Sequence, residues 1–175
     1  MDHRSALLTA QRYLKTSLPL KCLGWGIGGF VYLSPDNLSA VKVHRGPGYV
    51  AEVKTYRKLR RLGIRQLHGL NIPRLLDYDD ANLVIRMDFV NEPFLLDFAG
   101  VLFEPPDFSE DVIAAWHADI AEKFGPNAWV AHLVYRSLAK HGIYYVDFRP
   151  TNMKLEGLPG LESFPADDDP SEFPS

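Results

Sequence analysis

The stretch Gly24-Trp25-Gly26-Ile27-Gly28-Gly29-Phe30-Val31 is followed by a Ser34-Pro35-Asp36-Asn37 turn and then by Ala40-Val41-Lys42. Closely spaced glycines let a backbone turn sharply and approach a ligand without side chains in the way. What comes next restricts the fold. Phe30-Val31-Tyr32-Leu33 is a β-branched and aromatic run ending in a Pro-Asp-Asn turn, so the last glycine opens a strand. A dinucleotide-binding fold instead uses its third glycine to open a helix whose N-terminus meets the pyrophosphate, and that fold is excluded. The mononucleotide pattern G-x-x-x-x-G-K-[ST] is absent. Two readings remain: a glycine hairpin without a ligand, or a cradle for phosphates with Lys42 on the next strand, which points to phosphoryl transfer.

The rest of the chain changes character midway. A short helix is expected over 5–16, then strands over 20–23, 30–33 and 38–43, a helix over 50–62, and strands over 73–78 and 82–89 joined at Asp79-Asp80. Beyond Pro93 the pattern becomes helical. Ser109 with Glu110 and Asp111 marks the start of a helix running to Phe124. Gly125-Pro126-Asn127 breaks it, and a helix over 128–140 follows, apolar on nearly every side and therefore expected to be buried. The fold class is α+β: a five-stranded antiparallel half with one helix (1–90), a helical half (91–164), and an acidic, proline-rich tail (165–175).

A chain of 175 residues, 46% hydrophobic, can bury one sizeable core. The net charge of −3 gives no strong pull toward nucleic acid or a membrane. No run approaches a membrane span, no signal peptide opens the chain, and the single Cys22 suits a reducing, cytoplasmic compartment. The six histidines show no close pair at metal-ligand spacing. Lys54, Arg57, Lys58, Arg60, Arg61 and Arg65 form a basic helix face, expected to be solvated.

Glu52 strengthens the phosphate reading. At 100° per residue it falls on the helix between Tyr56 and Leu59, in the apolar stripe that should face the protein. Lys54, Lys58, Arg61 and Arg65 lie on roughly the opposite side. A carboxylate buried alone costs several kcal/mol, so Glu52 needs a cation, and Lys42 is the candidate. A third constellation, Tyr144-Tyr145-Val146-Asp147-Phe148-Arg149-Pro150-Thr151-Asn152, follows the expected buried helix. A loop of this kind can aim a carboxylate at an attacking hydroxyl while an amide oxygen meets a metal ion.

With these residues in place, the chain resembles the protein-kinase-like superfamily over residues 20–157. Gly24, Gly26, Gly29 and Val31 match its glycine loop G-x-G-x-x-G-x-V, and Ala40-Val41-Lys42 is similar to its nucleotide-anchoring lysine motif. The helix bearing Glu52 resembles the one that carries the lysine's partner, and Asp147-x-x-x-x-Asn152 matches the spacing of H-R-D-x-x-x-x-N. The resemblance implies a two-lobed fold, ATP and Mg2+ as cofactors, and a role for each residue. Lys42 would hold the α and β phosphates, positioned by Glu52. Asp147 would orient the acceptor hydroxyl and take its proton, Arg149 would neutralise the γ-phosphate, and Asn152 would bind magnesium. Gly24, Gly26, Gly29, Val31 and Ala40 would enclose the nucleotide, with Asp88 and Val90 in the hinge Met87-Asp88-Phe89-Val90 that meets the adenine.

The departures from the family are specific. Tyr145 and Val146 replace the His and Arg of H-R-D, which removes that loop's usual support. No D-F-G follows Asn152. The nearest substitute is Asp167-Asp168-Asp169, after an expected hairpin of 153–155 with 161–164, and Asp167 is the candidate third metal ligand. The A-P-E segment and later helices are absent, leaving a shortened helical lobe. Phe94-Leu95-Leu96-Asp97-Phe98 is expected to cover an apolar patch there. Three functions follow: a phosphotransferase acting on a protein or small-molecule hydroxyl; an inactive kinase-like module (a pseudokinase) holding a nucleotide, or a protein partner or second copy that completes the short lobe; or an α+β domain whose glycines form only a turn.

Overall fold

A computed structural model describes residues 1–159 and 161. The chain begins with α1 (His3–Tyr13), capped by Asp2, whose carboxylate accepts the Ser5 amide at 2.8 Å. The strands β1 (Cys22–Gly26), β2 (Gly29–Leu33) and β3 (Ser39–His44) follow as a meander, then α2 (Gly48–Leu62). Two short strands, β4 (Gln66–Leu67) and β5 (Leu70–Asn71), precede the hairpin of β6 (Leu75–Asp79) and β7 (Val84–Asp88). The remaining elements are β8 (Phe94–Leu95), α3 (Glu110–Phe124), α4 (Ala128–Ala139) and β9 (Met153–Lys154).

The class is α+β, with a five-stranded antiparallel sheet ordered β1-β2-β3-β7-β6. The sheet is covered on both faces. On one, Ala6 and Ala10 of α1 pack on Phe30, Tyr32, Val41, Val43 and Val84. On the other, the buried stripe of α2 (Tyr49, Val53, Tyr56, Leu59) joins Ala40, Ile85 and Met87 in a core that continues through Phe98 to Val130, Val134 and Leu138 of α4. Every residue of β3 is buried, as its central place requires.

Three features depart from the sequence expectation. From α1 to β7 the expected elements begin one or two residues away from where the pattern placed them, as for the first strand, expected at 20–23 and found at Cys22–Gly26, whereas α4 begins at Ala128 as expected. The segment after Pro93 does not turn helical at once. Phe94 and Leu95 instead form β8 in a second small sheet, ordered β4-β5-β8-β9, with Leu95 opposite Met153 and Phe94 opposite Lys154. Met153 thus pairs back to residue 95, and the expected partner strand at 161–164 lies outside the described residues apart from Leu161. Finally, α4 is not buried all round: Val130, Ala131, Val134 and Leu138 form one buried face, and its other side chains are half-buried. On α3, Ile120 alone is fully buried among the described residues.

Among the described residues no helix is long and apolar enough to cross a membrane. The acidic run Asp167-Asp168-Asp169 lies outside them.

Candidate functional site

The glycine run forms the tip of the β1–β2 hairpin. Trp25 pairs with Phe30 and Gly26 with Gly29, so Ile27 and Gly28 are the two-residue turn. Gly29 has a structural reason to be glycine. Its φ is +146°, and an added Cβ would lie 2.1 Å from the Val43 carbonyl oxygen. Gly24 and Gly26 have no such reason, since a Cβ on either would meet no other atom within 4 Å. Gly28 sits over Lys42: a Cβ there would be 4.0 Å from Nζ. The turn therefore lies above the lysine, anchored by the Arg45 amide donating to the Gly28 carbonyl at 3.1 Å.

Lys42 is 6% exposed and Glu52 1%. Lys42 Nζ donates to Glu52 Oε2 at 2.7 Å, the pairing the helix phase anticipates. His44, on the same face of β3 as Lys42, places Nε2 3.0 Å from that carboxylate oxygen without making a hydrogen bond. The lysine has a second partner, however: Nζ also donates to Asp97 Oδ1 at 2.8 Å. Burial alone would lower the lysine's pKa, but the two carboxylates hold it above its ordinary value. Burial likewise works to raise the Asp97 pKa, and Lys42, with the Ala99 amide, brings it below its ordinary value. Each group is thus held in its charged form by the other.

Asp97 is the residue at the candidate site that the sequence did not single out, and it lies in the segment 94–98, expected only to cover an apolar patch. Leu95 and Phe98 are fully buried in the core, and Asp97 between them adopts a left-handed φ of +59°. The available signal was the one used for Glu52: a single carboxylate within the apolar run 94–98 must find a cation. The segment is tied to the Asp147 loop. The Leu96 amide donates to the Asn152 carbonyl at 2.7 Å, and the Tyr145 hydroxyl donates to the Leu96 carbonyl at 2.9 Å.

The Asp147 loop, without the family's His and Arg, is held by other contacts. Tyr145 is buried, with edge-on contacts to Phe98 and Phe148, and Trp116 Nε1 donates to the Val146 carbonyl at 2.9 Å. Burial raises the Tyr145 hydroxyl well above its ordinary pKa, with Asp97 and Asp147 both adding to the effect. Asn152 Nδ2 donates to the Asp147 carbonyl at 3.3 Å and to Oδ2 at 3.5 Å. Arg149 Nε donates to Asp147 Oδ1 at 2.6 Å, so the guanidinium neutralises the carboxylate beside it.

At the expected hinge, Asp88 bonds Arg74 through both its side chain (3.2 Å) and its amide, and the Phe89 amide donates to Leu38. Asp88 thus has no free amide for a base, and Val90 is left as the donor in this segment. Val31 pairs with Lys42 and packs on the core, and buried Ala40 lies two residues before Lys42 on β3. Asp167 lies outside the described residues.

Among the described residues no group of three or more His, Cys, Asp or Glu could hold a metal ion. The oxygens around the Asp147 loop are hard donors, and a site with one or two protein ligands fits magnesium, which draws its remaining ligands from phosphate and water. No protein-family model, curated protein or solved structure matches this chain.

Proposed function

We propose that this chain is a minimal, two-lobed, kinase-like phosphotransferase that moves the γ-phosphoryl group of ATP to a hydroxyl acceptor. The observation that carries the reading is Lys42, held on Glu52 at 2.7 Å directly beneath the glycine turn. A buried ammonium held between two carboxylates, under a backbone with open space at Gly24 and Gly26, suits a phosphate chain. The sheet half would hold the nucleotide, with the Val90 amide toward its base, and the helical half would carry the reaction.

Asp147 is the group that receives the acceptor. Asn152 holds its carboxylate in place, and the loop is fixed from below by Tyr145 and Trp116. The acceptor hydroxyl donates to Asp147, its oxygen bonds to the γ-phosphorus, the bond to the β-phosphate oxygen breaks, and the proton passes to the carboxylate. Arg149 must swing from Asp147 to the phosphoryl group, and its half-exposed side chain is free to do so. Magnesium, when bound, would offset phosphate charge, with the Asn152 side-chain oxygen as one ligand.

The Arg149–Asp147 pair also favours a second reading, a nucleotide-binding module without turnover, because it occupies the carboxylate a hydroxyl would need. Such a module would use its short helical half to engage a protein partner or a second copy. Radiolabelled ATP with magnesium separates the two. Phosphate transfer or ATP turnover in the wild type, lost in both Lys42→Ala and Asp147→Asn, supports the phosphotransferase. A thermal shift with ATP but no turnover over a broad acceptor panel supports the module, and no shift with any nucleotide overturns both.

A further inference from the structure

The strongest unassigned feature is the charge imbalance around Lys42. One ammonium serves two carboxylates, Glu52 at 2.7 Å and Asp97 at 2.8 Å. The two are not equivalent. Glu52 is sealed in the protein, whereas the Asp97 side chain is 37% exposed. Its Oδ1 is taken by Lys42 and the Ala99 amide at 3.3 Å, and Oδ2 makes no hydrogen bond among the described residues. An excess negative charge at the edge of a low-dielectric site attracts a cation.

The backbone places that charge between the lysine and the Asp147 loop. β8 pairs with β9 immediately after Asn152, and Leu96 bonds the Asn152 carbonyl. Phe98 is locked edge-on between Tyr56 of α2 and Tyr145. An added Cβ on Gly100 would sit 3.7 Å from the Asp147 Cβ, and one on Gly48, at the start of α2, only 2.8 Å from the Ala99 Cβ. Residues 97–100 therefore touch both the Glu52 helix and the Asp147 loop. The left-handed conformation of Asp97 carries a backbone cost that this packing maintains.

Resting on the phosphotransferase reading, we propose that Asp97 supplies the carboxylate that binds the nucleotide's magnesium, and that its ion pair with Lys42 is a latch the cation opens. Without the cation, Asp97 holds Lys42 away from phosphate. When Asp97 turns to the cation, Nζ keeps Glu52 and regains a donor for the phosphate oxygens, since an ammonium has three. No acid after Asn152 is then required, and Asp167 is dispensable.

Calorimetric binding of a non-hydrolysable ATP analogue, with magnesium or with EDTA, tests this without activity. The wild type should bind the magnesium complex roughly ten- to a hundredfold more tightly than the free analogue, the ratio expected for one gained charged hydrogen bond. Asp97→Asn should bind the free analogue more tightly than the wild type does, and should lose most of the magnesium enhancement. Replacing Asp167, Asp168 and Asp169 together by Asn in the full chain should leave the enhancement intact. Equal wild-type affinity with magnesium and EDTA overturns the latch with no variant needed. So does an Asp97→Asn protein that weakens both forms alike or keeps the full enhancement, or a triple Asn variant that loses it. A wild type that binds neither form overturns the phosphotransferase reading itself, which distinguishes the two failures.

Discussion

Replacing Lys42 by Met keeps the length and apolar stem of the side chain and removes only the ammonium. Glu52, 1% exposed, is then a buried carboxylate whose closest polar neighbour is His44 at 3.0 Å. Asp97, more than a third exposed, can turn to water, so the cost falls mainly on Glu52. Breaking one side of a buried pair costs about 3–5 kcal/mol, because the remaining charge is uncompensated. For a chain of this size that corresponds to a fall in melting temperature of roughly 6–20 °C. The double variant Lys42→Met/Glu52→Gln removes both charges and should recover a large part of the loss. Urea unfolding followed by far-UV circular dichroism, on the wild type, both single variants and the double, measures the coupling directly. A cost below about 1 kcal/mol for Lys42→Met, or additive single effects, would refute the argument that Glu52 depends on Lys42.

The glycines should separate by role. Gly29→Ala should destabilise the fold by about 2 kcal/mol or more, since its Cβ would strike the Val43 carbonyl, whereas Gly26→Ala should leave the melting temperature nearly unchanged and weaken nucleotide binding in a thermal-shift titration. Tyr145→Phe should cost about 1–2 kcal/mol in urea unfolding, because the Leu96 carbonyl loses its donor; no loss would mean the hydroxyl does not support the loop. Phe98→Ala should cost about 3–5 kcal/mol, as expected for a fully buried aromatic between two others. Stability should also depend on acid. Burial lowers the His132 pKa to about 4, helped by His117 and Arg136, and burial lowers that of His117 too. The unfolded chain takes these protons near pH 6.5 and the folded one only lower, so the stability present above about pH 6.5 drains away toward about pH 4. His132→Gln should flatten that slope in denaturant midpoints measured across the range.

Local pattern was enough to place much of this molecule. The turn residues and β-branched runs set the meander that leads into α2, and helical phase turned Glu52 inward toward Lys42. Those are interactions of short range, where periodicity and the cost of burying a charge decide the outcome. Two features of the site rest on contacts that form only in the folded chain. Where His and Arg are missing beside Asp147, Tyr145 reaches Leu96, 49 residues earlier, and Trp116 reaches Val146. Arg149 is turned onto Asp147 by their proximity in the folded loop.

The composition and order of the chain by themselves determined an α+β protein with a glycine hairpin over a lysine strand, since strand and helix periods and the need to neutralise Glu52 are local facts. Only the tertiary structure decided that Asp97 shares that lysine. Residue 97 reaches Lys42 across 55 positions of sequence because β8 pairs with β9 and Phe98 is buried between two tyrosines, and strand pairing at such separation leaves no periodic mark on the chain.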